Sequence, residues 1–191
     1  MMQAQQQMQA IGIFSSGING GYMILKEKTF LKGRIRTIEC DAIKYPTFES
    51  VENAIKNKEA LFGEWIENLI PTVGLTATLN NMGGQSLTAN EGQITYGAVG
   101  TDATAVSLTD TTLGTELARV QLATRSVSVN KLTLRSFFNT ATGNGNWKEY
   151  GLFGEDASGV SDSGTLFEHA SLIKEKTSLK TITVLTEITI S

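Results

Sequence analysis

Hydrophobic and polar positions change their period near the middle of the chain. Between residues 47 and 82 the apolar residues recur at helical spacing. Val51, Ala54 and Ile55 share one face behind Thr47, a residue type suited to capping a helix, with Glu49 and Glu52 early and Lys56 and Lys58 late. This predicts a helix over 47–62, ending at Phe62-Gly63. A second helix is predicted from Glu64, with Trp65, Ile66, Leu69 and Ile70 as its apolar side and a break or kink at Pro71. A third runs from Thr72 to Met82 and stops at Gly83-Gly84, a pair suited to a helix C-terminus. Before these, residues 22–45 read as extended, closed by Tyr45-Pro46.

After residue 92 the period is two. Strands are predicted over Ile94–Gly100, Arg119–Val129, Leu132–Phe138, Trp147–Phe153, Thr165–Leu172 and Thr181–Ile190. In the last, Ile182, Val184, Thr186, Ile188 and Ile190 alternate, and Leu185 points the other way. Asn130 and Gly143-Asn144-Gly145-Asn146 supply turns. A short helix is predicted over Leu108–Leu117, capped by Asp110. Five or more strands at short spacing predict a mainly β protein: an antiparallel, Greek-key-like β-sandwich with a few short flanking helices and an extended N-terminal arm. The predicted organisation is an arm over 1–21, an extended segment and helical subdomain over 22–84, and a β-sandwich domain over 85–191.

The arm is rich in glutamine, methionine and alanine over its first ten residues, then apolar at Ile11, Ile13 and Phe14, then glycine- and serine-rich. Two readings stand side by side: a solvated tail, or an arm that orders on a neighbouring subunit through Ile11, Ile13 and Phe14. The N-terminus has neither a basic start nor a continuous apolar run, so it does not read as a secretory signal.

Charge narrows the function classes. Sixteen basic residues are scattered among nineteen acidic ones for a net charge of −3, and no basic stripe forms, which argues against a nucleic-acid partner. No apolar run has the length to span a bilayer, so no membrane role is expected. The single cysteine, Cys40, excludes an internal disulfide and a multi-cysteine zinc site, and fits folding in a reducing cytoplasm. Its neighbours Glu39 and Asp41 would raise the thiol pKa, the wrong direction for a nucleophile.

Candidate chemistry is sparse. His169 is the only histidine and reads as a surface or packed residue, since no nucleophile-elbow sequence surrounds any serine. Glu149, Glu155 and Asp156 are close enough in sequence to raise a glycosidase pair, although acids near a turn are common in any soluble protein. The stretch Asp156–Asp162 has oxygens that would suit Ca²⁺ but lacks the ligand periodicity and terminal Glu of an EF-hand loop. Gly97–Asp102 follows a strand but carries neither Gly-Lys-Ser/Thr nor Gly-x-Gly-x-x-Gly. Trp147 and Tyr150, beside a glycine-rich turn, are candidate surface contacts for stacking on a sugar, against a default of core packing. No catalytic residue, metal ligand or cofactor is predicted.

A resemblance follows from the order of several short motifs. These are Tyr96-Gly97-Ala98-Val99-Gly100-Thr101, Asp110 to Arg119, Gly145-Asn146-Trp147-Lys148-Glu149-Tyr150-Gly151-Leu152-Phe153, Gly164-Thr165-Leu166-Phe167, Lys176-Thr177 and the terminal strand, preceded by Glu67-Asn68-Leu69-Ile70 and Gly74-Leu75. Over about residues 65–191 the chain resembles a group of phage and prophage virion proteins described as tail-fibre, baseplate or minor structural proteins. Pro71 departs from the pattern, which has a non-proline residue there. The resemblance implies a non-enzymatic subunit of the tail, collar or baseplate/fibre, made in the host cytoplasm and located in the virion. Its partners would be other virion structural proteins and copies of itself in a ring or trimer. The alternatives are a capsid decoration or head-fibre protein, then a module binding a host-surface glycan, then a depolymerase. Within the motifs, Gly151 is expected to let strands approach closely, and Glu116 to pair with Arg119, with Glu149 as the alternative partner.

Overall fold

The computed structural model describes residues 31–85 and 93–190. The elements are β1 (Leu31–Asp41), α1 (Phe48–Lys56), β2 (Leu61–Phe62), β3 (Ile66–Glu67), α2 (Thr72–Met82), β4 (Ile94–Gly100), β5 (Glu116–Ser128), β6 (Lys131–Phe138), β7 (Gly145–Gly154), β8 (Thr165–Lys176) and β9 (Lys180–Ile190). The chain is mainly β and antiparallel, as its period-two segments predict. Eight strands in the order β2-β1-β9-β6-β5-β4-β7-β8 form one sheet curled into a half-barrel, with β3 also on β1.

The long strand β5 makes the curl. Its first half, Glu116 to Gln121, pairs with β4, and its second half, Leu122 to Ser128, pairs with β6. Strands β1-β9-β6 and β4-β7-β8 consequently face one another across a shared interior. Ile35, Leu134 and Val184 from one side pack there in a single cluster with Val99, Trp147, Tyr150 and Leu152 from the other. The Ser136 hydroxyl reaches across to the Tyr150 hydroxyl at 2.8 Å.

Both edges of the curled sheet meet the segment between α1 and α2. Ile66 and Glu67 pair with Ile35 and Arg34 of β1, and the Asn68 N–H donates to the Gly33 carbonyl. Leu69 then exchanges both backbone hydrogen bonds with His169 of β8, each 2.8 Å. The predicted helix over 64–70 is therefore absent. Two sheet edges offer this backbone partners in opposite directions, and a helix would leave those edges unpaired. Pro71 precedes α2 rather than kinking a helix, an ordinary place for it.

The helices pack on the sheet. Thr47 caps α1 in a box with Ser50, each side chain engaging the other's backbone N–H, and α1 lays Val51 and Ala54 onto Ile38, Cys40 and Leu185. Gly74 lets α2 lie directly on β8, because a Cβ there would stand 2.7 Å from the Phe167 Cα. The predicted helix over 108–117 is also absent. Residues 101–115 form an irregular loop across the outer face, and β5 begins at Glu116. The sheet runs across the predicted boundary between residues 84 and 85. β1 pairs with β9 over its whole length, from Leu31 with Ile190 to Asp41 with Lys180.

Candidate functional site

Three buried or half-buried arrangements have chemical content: a histidine between two carboxylates on the outer face, a polar row inside the half-barrel, and an apolar opening at one end.

On the outer face, register places Glu149 opposite Ser171 and Gly151 opposite His169. The loop 101–115 folds over them. Glu149 Oε1 accepts the N–H groups of Thr115 at 3.0 Å and Asp102 at 3.3 Å, and Oε2 accepts that of Gly114 at 3.0 Å. His169 Nε2 lies 3.1 Å from Glu149 Oε2 and Nδ1 lies 2.7 Å from Asp110 Oδ2, an oxygen that also accepts the Ser107 N–H. Each ring nitrogen therefore has a carboxylate oxygen as its partner. The arrangement has the residue types of an acid–base site. Its hydrogen-bonding capacity is already taken by the loop's own backbone, and the side chains of Glu149 and His169 are buried. What it does is fasten the loop. This also explains why no helix forms there, since the amides of Gly114 and Thr115 are committed to a side chain on β7.

Inside the half-barrel, Glu168 is opposite Leu152 and points inward. It is fully buried, and neither carboxyl oxygen has a hydrogen bond; the same holds for both polar atoms of the neighbouring Asn68. Burial pushes the Glu168 acid well above the usual carboxylate range, against a smaller opposing effect of Asn68. Burial also raises the Tyr150 phenol, opposed by its Ser136 contact and reinforced by Glu168. Gly97 leaves the room for this row: a Cβ there would fall 2.0 Å from Ser136 Oγ.

The opening lies at the end of the half-barrel where β1 starts and β9 finishes. It is a cavity of about 470 Å³ whose apolar walls include Leu31, Ile70, Leu132, Phe167, Ile188 and Ile190. The β5–β6 hairpin forms its rim. Ser128 pairs with Lys131, leaving Val129 and Asn130 as a two-residue turn, and Asn130 Nδ2 ties this turn to the end of β9 by donating to the Ile190 carbonyl at 2.7 Å. Val129 is 98% exposed with φ of 56°. Glycine favours that first turn position, and a β-branched residue there is strained. The rim cations are occupied: Arg125 donates to Gln93 and the Ile94 carbonyl, and Lys131 to Glu187 at 2.8 Å.

The structure corrects the reading of Trp147 and Tyr150 as surface contacts. Both side chains are fully buried. A β-bulge between Trp147 and Glu149 brings Trp147, Tyr150 and Leu152 onto the inner face, where Trp147 packs on Phe138 and donates to the Gly143 carbonyl at 2.6 Å. Ile11, Ile13 and Phe14 lie outside the described residues. The Glu116–Arg119 pair forms at 2.8 Å, but within β5: the bulge around Leu117 puts both on one side, and Arg119 also holds the Ser163 carbonyl. Glu149 is not its partner. Gly151 makes room for the side chains of Leu113 and Leu166 rather than for a strand. Cys40 is buried, and burial first and Glu39 second raise its thiol; the predicted direction holds, with burial rather than the carboxylate pair as its main cause.

Sequence reasoning missed Asp110, Glu149 and His169 as one group, the inward Glu168, and the opening. Among the described residues no cluster of His, Cys, Asp and Glu could hold a metal ion, and no helix is long and apolar enough to cross a membrane. No family model, curated protein or solved structure matches the chain.

Proposed function

We propose that the chain is a non-enzymatic structural subunit of a tailed bacteriophage virion, in the tail, collar or baseplate/fibre, assembling with copies of itself and with other virion proteins. The observation that carries the reading is the apolar opening with its exposed rim. Val127, Val129 and Ile190 are all exposed at the end of the sheet where the cavity opens. An apolar surface of this kind marks a contact site. A rim residue held in a strained conformation supports a functional reason for keeping it.

The outer-face cluster supports the non-enzymatic part. Its histidine and both carboxylates are engaged by groups of the fold itself. A glycan-binding role loses its support with the burial of Trp147 and Tyr150.

The test is a cryo-EM map of the particle that carries the protein. Density for this fold around the tail, collar or baseplate, in several copies, is the expected result. Density repeated over the icosahedral shell would move the protein to a capsid decoration role. Absence from the purified particle by mass spectrometry would sink the proposal.

A further inference from the structure

The geometry points to an occupant for the apolar opening: the segment Ile11-Gly12-Ile13-Phe14 of a second copy of this chain. This rests on the multi-copy reading above and names the partner and its contact.

Four observations lead to it. First, the sequence before the sheet joins it at the opening, since Leu31, the first residue of β1, is itself part of the wall. Second, residues 1–25 contain no Asp, Glu, Lys, Arg or His. Bringing such a segment against apolar walls desolvates no charge, and Ile11, Ile13 and Phe14 supply apolar side chains to bury. Third, residues 15–30 amount to a chain length of up to roughly 50 Å between Phe14 and β1, against a radius of gyration of roughly 15 Å for a body of this size. The reach suffices to carry Ile11–Phe14 past the chain's own rim to the opening of a neighbour. Fourth, Val129 stands at the rim, exposed and strained, where glycine would serve the turn alone. A contact made by its side chain accounts for a valine there. Repeated from copy to copy, such a head-to-tail contact closes a ring or extends a filament.

The test uses the full chain with Gly12→Cys and Val129→Cys in a Cys40→Ala background, oxidised and run without reductant, alongside sedimentation velocity of the unaltered chain. Gly12 is chosen so that Ile11, Ile13 and Phe14 are all kept. The expected result is covalent dimers and higher multimers, with the 12–129 disulfide identified by peptide mass. Two further variants, Phe14→Asp in the segment and Ile190→Asp at the half-exposed rim, should each weaken self-association by about tenfold or more. They should leave the circular dichroism spectrum unchanged. A disulfide closed within one chain would overturn the proposal in favour of a self-filled opening, and so would assembly that persists after deletion of residues 1–14. If the unaltered chain assembles but neither variant affects it and no crosslink forms, the named contact falls while the multi-copy reading survives. A chain that stays monomeric at all concentrations and in the particle removes both.

Discussion

Glu149 and Glu168 lie on neighbouring strands, both buried, on opposite faces of one sheet, and their surroundings are opposite. Glu149 on the outer face collects three backbone N–H groups and a histidine. Glu168 on the inner face has no formed hydrogen bond, with an equally unpartnered Asn68 beside it. The difference is one of supply. The outer face is covered by a loop whose backbone needs acceptors. The interior is lined by strands whose backbone groups are spent on each other, so only side chains remain to meet a carboxyl there. A buried carboxylate is stabilising where irregular chain covers it and is driven to its neutral form where regular structure does.

The largest effect expected from breaking this contrast is at Glu149. Glu149→Ala strands three amides and a histidine, and should cost about 3 kcal/mol in urea-unfolding experiments. Amide exchange at Gly114 and Thr115 should accelerate beyond the global change. A loss under 1 kcal/mol would mean that the loop is held by something else.

Glu168→Gln should act in the other direction. Because burial raises the folded-state pKa of Glu168 above its ordinary value of 4.5, its contribution is fully present below that pH and is lost as pH rises through the raised value. The amide has no charge to bury, so at pH 7 the variant should be more stable by on the order of 1 kcal/mol, and the two proteins should converge near pH 4. Equal destabilisation at both pH values would contradict the assignment. Glu187 has the reverse sign: burial would raise its pKa, but hydrogen bonds from Lys131 and Arg34 more than offset this, so its contribution is present above pH 4.5 and fades as pH falls.

Two smaller changes sharpen the picture. Val129→Gly relieves the positive φ and should stabilise the isolated subunit by about 1 kcal/mol, while weakening self-association. Asp110→Asn keeps an acceptor for Ser107 but removes a charge beside His169 at a partly exposed position. Its cost should be about 0.5 kcal/mol, read as a shift in the urea midpoint.

Much of the fold was legible. The alternation of Ile182, Val184 and Ile188 locates β9 and its inner face, the Thr47 cap locates α1, and the Thr72–Gly83 spacing locates α2. The errors share a physical origin. Ile66 and Glu67 look helical until the unpaired edge of β1 is present to claim them. Leu108 to Leu117 looks helical until Glu149, 35 residues after Gly114, takes the amides of Gly114 and Thr115. Trp147 looks exposed beside its glycine turn until the bulge after it sets its face. None of these determinants is local, so no window of sequence contains them. His169 reads as a surface or packed residue, and it is the packed one. Its two acidic partners were out of reach because Asp110 is 59 residues away in sequence.

The pairing of β1 with β9 has a consequence for the order of events at the ribosome. Arg34 and Glu187, joined across these strands, are 153 residues apart. When β1 emerges, the strand that will lie beside it has not been translated, and the hairpins β5–β6 and β7–β8 are complete first. Until then, β1 offers the edge that will face β9 to any other nascent chain, although β2 and β3 are already translated for its other edge. Closure of the sheet therefore waits for β9, and a chain stalled before Lys180 should aggregate rather than wait.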